Sequence, residues 1–446
     1  MIPRFLFKHD RFGKPVPTFQ DRALRRAGIL GVHRPVSGNS ISICRAEARP
    51  AGRGCLKPAI RFGFLQNLST VMTTRPRGAE PAASRDETLP SDVNFLASLR
   101  LELAYLSGVP WLRGRRAGGA GVVLRFERVR PRRATRFQPL KSREITPRFL
   151  DRTIRALKRW KFDIVSMDEV CRRAVTLTSR RRFVCLTFDG GYKDLITAAY
   201  PVLSRHGVPF TVYVPTAFPD GFGEAWWLAL EAVIARENRL SLVLDRAERH
   251  FNIGNTSEKY QLYEFLENWM RSLAPPEVSS AINDLCRRYA VDLAALSRQS
   301  SMDWDDLAKL AADPLVTIGS ATVNYPVLSN LKDAAALREM TMGRAVAQAA
   351  FQRDVRHFAY PFGDRAAFRR QHVVMAAEAG FVSAASAISG IVEAEGRTNL
   401  HVLPRVAWDG RQRSLRAMRV ILSGVTFPPV QSTRGAPPTY PAAPSS

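Results

Sequence analysis

Cysteine is scarce in this sequence. The chain has five in 446 residues, at Cys44, Cys55, Cys171, Cys185 and Cys286, and no two are spaced as C-x-x-C. That count and spacing exclude a disulfide framework and a zinc knuckle, and they suit a reducing compartment. Lysine is nearly as scarce for so basic a chain. Of 66 Lys and Arg only 10 are Lys, against 40 Asp and Glu, for a formal charge of +26. A bias weighted so heavily to arginine follows from codon composition as readily as from an anionic partner. Long apolar runs are missing too. No stretch approaches the roughly 18 residues that a transmembrane helix needs. The opening MIPRFLFKHDRFGKP has no apolar core after its first charges, so no secretory signal is expected there and the chain reads as cytoplasmic. Nucleic acid as a partner has only net charge in its favour, because no binding motif and no basic patch interleaved with aromatics is present.

What is there divides into segments. Residues 1–71 hold 13 Lys and Arg against 3 Asp and Glu and show no sustained period. They read as a basic extension, either disordered or translated from an early start, with Met72 as a second plausible N-terminus. Residues 72–119 are expected to form a helical leader, on the strength of Phe95, Leu96, Leu99, Leu101, Leu103 and Leu106. From 120 to 424, short β-rich runs (GVVLRFERV, FDIVSM, RFVCLTFD, PFTVYVPT, LVTIGSAT, HFAYPFG, FVSAASA) alternate with helical ones. Thr146 reads as an N-cap with Pro147 at the first helical position. Such alternation predicts an α/β fold around a parallel sheet, open or closed, with functional groups at the carboxyl ends of strands. Residues 222–300 interrupt it with a mainly helical insertion, and the Pro-, Ser- and Ala-rich tail 425–446 is expected to be disordered.

Chemistry concentrates in residues 182–221. A strand ends at Phe188, and Asp189 follows with Gly190 and Gly191. A carboxylate there is well placed for a site, and equally well placed to cap a turn.

At this point the chain resembles a family. Thr187-Phe188-Asp189-Gly190-Gly191, then HGVPFTVY (206–213), LVTIGSATVNYPVLSNL (315–331) and HFAYPFGD (357–364) are similar, in order, to the motifs of NodB-type polysaccharide deacetylases, which include chitooligosaccharide deacetylases. The family's motifs read T-F-D-D-G, I-G-x-H-T-x-x-H-P and F-A-Y-P-x-G. The resemblance covers roughly residues 120–424. It implies a distorted (β/α) TIM-like barrel and N-deacetylation of amino sugars in an oligosaccharide or polysaccharide. It also implies a divalent metal, commonly zinc, held by one Asp and two His, which activates water.

Carried over by residue, the resemblance makes Asp189 the general base and puts Thr187, Tyr360, Pro361 and Gly363 at the substrate groove. The three ligand places fall on Gly190, Ala321 and Tyr325. Gly and Ala have no donor atom and neutral Tyr is a poor zinc ligand, so no metal cofactor is expected. The chain has seven His, no two of them four residues apart. His401, in NLHVLPRV, is a candidate general acid or a packed structural residue. Glu127 stands where relatives often have His. Arg405 and Trp408 either line the groove or pack the last strand, and Trp226 and Trp227 offer either a sugar-stacking face or core. Asp194 and Asp364 restore no ligand. Two functions follow: a deacetylase with weak or no activity, or a non-catalytic relative that binds a glycan or a protein partner through the retained groove.

Overall fold

The structure is a computed structural model that describes residues 101–108, 119–176, 181–244, 247–408 and 414–427. The extension at 1–71, most of the leader and the tail from 428 lie outside the described residues; of the leader, 101–106 are helical.

In chain order the strands are β1 (Gly121–Phe126), β2 (Arg128–Val129), β3 (Glu144–Ile145), β4 (Asp163–Val165), β5 (Phe183–Asp189), β6 (Phe210–Val214), β7 (Arg239–Leu244), β8 (Ala247–Asn252), β9 (Val316–Ser320), β10 (His357–Ala359), β11 (Ser383–Ala385) and β12 (Val406–Ala407). One parallel sheet runs β11-β10-β9-β6-β5-β1-β12. The short β4 pairs with the first half of β5, and β6 with the second half. The sheet closes on itself through the last strand. Leu403 forms a parallel bridge to Ala385, while Val406, three residues on, pairs with Leu124 of β1. Both edges therefore meet on residues 403–407. The result is the distorted barrel that the motifs imply, in place of the open alternative left by strand–helix alternation alone.

Every position of β5 is buried, as expected for a parallel strand covered on both faces. Val184, Leu186 and Phe188 point outward and pack with Leu150, Ile154 and Leu157 of helix Pro147–Arg159. Each such apolar side chain contributes about 1.5–3 kcal/mol. That helix starts where the sequence predicts: Thr146 Oγ1 accepts from Phe149 N at 3.2 Å and Pro147 follows it. The alternate residues of β5 point into the barrel. Cys185 meets Val123, Tyr213, Ala359 and Ala385 there, and Thr187 and Asp189 occupy the layers above it, toward the carboxyl ends of the strands.

The insertion departs from expectation in one respect. It contains an antiparallel ribbon, β7–β8, as well as helices. Leu240, Leu242 and Leu244 are buried along β7 with intervening residues outward, a period of two hidden within a segment read as helical. Helices Thr256–Ser272, Pro275–Arg288 and Leu293–Ser300 then bury Leu262, Leu266, Met270, Ile282 and Leu285 against Leu230 and Val233 of helix Trp226–Arg236. Because the insertion follows β6, it lies over the carboxyl-end rim of the barrel. Among the described residues, no helix is long and apolar enough to cross a membrane.

Candidate functional site

Asp189 ends β5 and is 3% exposed. Its carboxylate is held in a fork: Arg405 Nη1 donates to Oδ1 at 2.6 Å and Nη2 to Oδ2 at 2.8 Å. Arg405 is fully buried on the closing strand segment. Its Nε donates to Ser386 O at 2.7 Å and Nη1 also reaches Thr187 Oγ1 at 3.2 Å. Thr187 can accept that bond because its own hydroxyl proton goes to Leu124 O, at 2.8 Å. Burial works against the charged guanidinium, but the Asp189 carboxylate beside it more than offsets this and holds the Arg405 pKa above its ordinary value. Arg125, inward on β1, brings a second guanidinium to 3.9 Å from Asp189 Oδ2.

Beyond Asp189 the chain turns through Gly190, at φ +92°, a conformation that favours glycine. A Cβ on Gly190 would lie 2.8 Å from Cε2 of Tyr192. The Tyr192 ring is fixed in that place. Trp227 Nε1 donates to its hydroxyl at 2.9 Å, and the Arg128 guanidinium lies 4.4 Å above its face. Arg128 is tied to Asp194 at 2.7 Å. The direction in which a side chain at 190 would project is thus filled by a tyrosine ring.

The other two ligand places are equally occupied by apolar packing. Ala321, 1% exposed, packs with Tyr213, Ala359 and Tyr325. Tyr325 sits with its ring centroid 5.2 Å from Phe362 and 5.8 Å from Trp227. Burial pushes the Tyr325 hydroxyl above the usual phenol range, and the charges of Asp189 and Glu127 push it further, with Arg125 opposing them. Asp189, Gly190, Ala321 and Tyr325 do come together at one end of the barrel, but around aromatic rings instead of an open coordination position. Among the described residues, no three His, Cys, Asp or Glu side chains gather to hold a metal ion. The donor set therefore does not fit the divalent metal that the motifs imply.

Next to Tyr325 the mouth opens into a groove of about 250 Å³. Phe222, Trp226 and Phe362 give it ring surface, and Glu224 and Asn324 give it polar edges. Phe222 is 69% exposed. Thr322, Tyr325 and Phe362 adopt left-handed backbone conformations, at φ +69°, +58° and +58°. Such conformations in non-glycine residues cost energy and cluster at functional sites.

Several sequence-stated roles change when the residues are placed. Tyr360 is 1% exposed, its ring stacked on Phe368 at 4.1 Å and its hydroxyl donating to His401 O at 2.7 Å, so it supports the wall and presents no face to the groove. Pro361 and Gly363 are buried beside Phe362; the Gly363 carbonyl accepts from Ala387 N at 2.7 Å. His401 bonds Phe381 O through Nε2 at 2.8 Å. Phe381 precedes β11, so His401 lies toward the amino-end rim, opposite the end that carries Asp189, and the general-acid role does not suit it. The other described histidines are engaged away from Asp189: His206 with Asp151, His250 with Ser241, His357 with Ser383 and His372 with Arg369 N. Trp227 is core; Trp226 is mostly buried and lines the groove. Trp408 packs on Phe149 and donates to Thr153, which settles it on the strand side. Glu127 faces Arg143 at 3.6 Å, and Asp364 caps its own turn through Ala366 N and Ala367 N, both at 3.0 Å. The sequence alone leaves Arg405 ambiguous and does not single out Arg125 or Tyr192.

Residues 176–383 match the family model described as polysaccharide deacetylase. No curated protein matches the chain. Solved structures similar to it include IcaB from Ammonifex degensii (16% identity, 68% of this chain and 98% of that one, TM-score 0.44). A Streptococcus pyogenes deacetylase, PplD, in complex with acetate is also similar (14%, 66% and 94%, 0.43). So is a de-N-acetylase from Aggregatibacter actinomycetemcomitans (13%, 67% and 98%, 0.43).

Proposed function

We propose that this chain, whose barrel belongs to the polysaccharide deacetylase family, binds an amino-sugar polysaccharide or chitooligosaccharide at the barrel mouth without metal-dependent deacetylation. The observation that carries the reading is the state of Asp189. Both its oxygens are taken by the Arg405 fork, and the adjoining ligand place is filled by Tyr192. A family hydrolysis would need a metal to activate water and polarise the acetyl carbonyl. Gly190, Ala321 and Tyr325 supply no donor set for it. Binding needs less. Apolar and aromatic side chains flanked by a few fixed polar groups form the usual lining of a ligand pocket, and Phe222, Trp226, Phe362, Glu224 and Asn324 provide that combination.

The test uses the full chain, with and without added zinc, on chitohexaose. Acetate release should equal that of Asp189→Asn, while titration calorimetry shows binding that Phe222→Ala weakens. Release of acetate by the wild type that Asp189→Asn abolishes would restore the enzymatic reading.

A further inference from the structure

The ribbon β2–β3, the loop between its strands and the start of helix Pro147–Arg159 enclose a cleft of about 880 Å³, within the range of ligand sites. Among the described residues its walls carry six cations, Arg130, Arg132, Arg133, Lys141, Arg148 and Arg152, and one carboxylate, Glu144. Glu144 is already matched, since Arg130 and Arg133 both bond it; Arg133 also pairs with Glu231 at 2.7 Å. The remaining four, Arg132, Lys141, Arg148 and Arg152, are exposed and make no ion pair with a described residue. Four charges with no described counter-ion around one cleft repel each other. Arg148 stands in the first turn of the helix and Arg152 in the second, and the first turn has no acidic residue. The positive end of the helix dipole favours anions at that place and disfavours cations. The Nε donors of Arg130 and Arg133 are buried without an acceptor among the described residues. Charge, dipole and spare donors all call for an anion of some size.

We propose that this cleft binds the carboxylate-bearing stretch of an acidic polysaccharide, a uronate-containing chain whose neighbouring sugars occupy the groove at the barrel mouth. The proposal rests on the glycan reading above and names its substrate class. Helix Thr256–Ser272 connects the two places. Near its start, Tyr260 Oη accepts from Gln138 N on the cleft wall at 3.0 Å, and near its end Met270 and Arg271 line the groove. Ten residues of α-helix rise about 15 Å, which sets the scale of the gap that one oligosaccharide would cross. A nucleic acid is less suited to the cleft. Its aromatic lining residue, Phe149, is 8% exposed and gives bases no platform to stack on.

Fluorescein-labelled hexagalacturonate is the probe, titrated into the full chain at low and at physiological salt. Binding should weaken as salt rises. The triple variant R132E/R148E/R152E should bind it roughly tenfold or more weakly, with chitohexaose affinity unchanged. Arg148→Glu places an acid at a helix N-terminus, so the triple variant should melt no earlier than the wild type. A thermal melt by circular dichroism therefore separates lost binding from lost folding. Wild-type affinity in the triple variant, or no binding by the wild type at low salt, overturns the proposal. So does tighter binding of a labelled hexathymidylate with the same dependence on the three arginines. The groove fails separately: chitohexaose affinity untouched by Phe222→Ala would overturn the mouth reading and with it the placing of the neighbouring sugars, while the hexagalacturonate result alone decides anion binding in the cleft.

Discussion

Replacing Arg405 by methionine removes one half of a buried ion pair and leaves the other half in place. Asp189, 3% exposed, loses charge-assisted bonds at 2.6 and 2.8 Å, and Ser386 O and Thr187 lose their shared donor. Stripping one partner from a buried pair costs about 3–5 kcal/mol, because the charge that remains has neither water nor a counter-ion. Arg125 stays within 3.9 Å of Asp189 and is partly exposed, which draws the expected cost to the lower end, about 3 kcal/mol. Arg405→Lys keeps the charge and loses the planar fork, for about 1–2 kcal/mol. The informative variant is the double one. Arg405→Met with Asp189→Leu removes both charges together, and an apolar pair of similar volume is often neutral or better than the ion pair it replaces. Most of the loss should return. Urea unfolding reads all of this through the midpoint, provided the slope is unchanged. Arg155→Met, an exposed arginine paired to Asp151, sets the baseline near zero. The reasoning is refuted if Arg405→Met matches that baseline, or if the double variant is no more stable than Arg405→Met alone.

Three further outcomes follow from the geometry. Gly190→Asp should destabilise by about 1–3 kcal/mol, from its positive φ and from the Tyr192 ring 2.8 Å away; zinc calorimetry on Gly190→Asp, Ala321→His, Tyr325→His should show no site until Tyr192→Ala is added, and a site without that change would refute the argument. Burial pushes the Cys286 thiol up to about 11, above the roughly 8.5 of an unfolded cysteine, so its contribution to stability is intact below the lower value and is lost as pH rises toward the upper one. Peptide mapping after iodoacetamide treatment at mildly alkaline pH should find Cys286 unmodified until urea unfolds the chain, and ready modification in the native state would contradict the placement.

The barrel was legible because its strands advertise themselves. GVVLRF, RFVCLTFD and PFTVYVPT are short, β-rich and bounded by helix starts, and Thr146-Pro147 marks one such start at the residue. The gathering of Asp189, Gly190, Ala321 and Tyr325 followed from motif order, since all lie at carboxyl ends of parallel strands. Arg405 was harder to read, though a signal was present. An arginine inside the apolar run LPRVAW, on a strand that must be covered on both faces, needs a buried carboxylate, and Asp189 is the most buried one described. Tyr192 gave no such signal. That its ring fills the space beside Gly190 depends on the bond from Trp227 and on Arg128, partners brought together only by the insertion and by β2. The ribbon β7–β8 was missed because six residues of alternation were outweighed by the helical text around them.

The loop that carries two of the strained residues supports one more prediction. Thr322 and Tyr325 both hold left-handed conformations, and Thr322 is β-branched, for which that region is a true outlier. Such strain persists only where neighbours over-determine the backbone. Here the neighbours are hydrogen bonds. Thr322 Oγ1 accepts from Tyr325 N at 3.1 Å, and Glu339, from helix Asp333–Phe351, accepts from Val323 N and Asn324 N at 3.0 Å and from Asn324 Nδ2 at 2.7 Å. Glu339→Ala releases three donors at the rim while leaving the barrel layers alone. Unfolding stability should fall by about 1 kcal/mol, since the freed groups are near water. Chitohexaose affinity should fall by roughly tenfold, because a loop that must be ordered on binding takes that cost from the binding energy. Glu339→Gln retains one acceptor and should fall between. Unchanged affinity in Glu339→Ala would show that the strained loop plays no part in holding a ligand, and a loss of stability above about 3 kcal/mol would make Glu339 a support of the barrel itself.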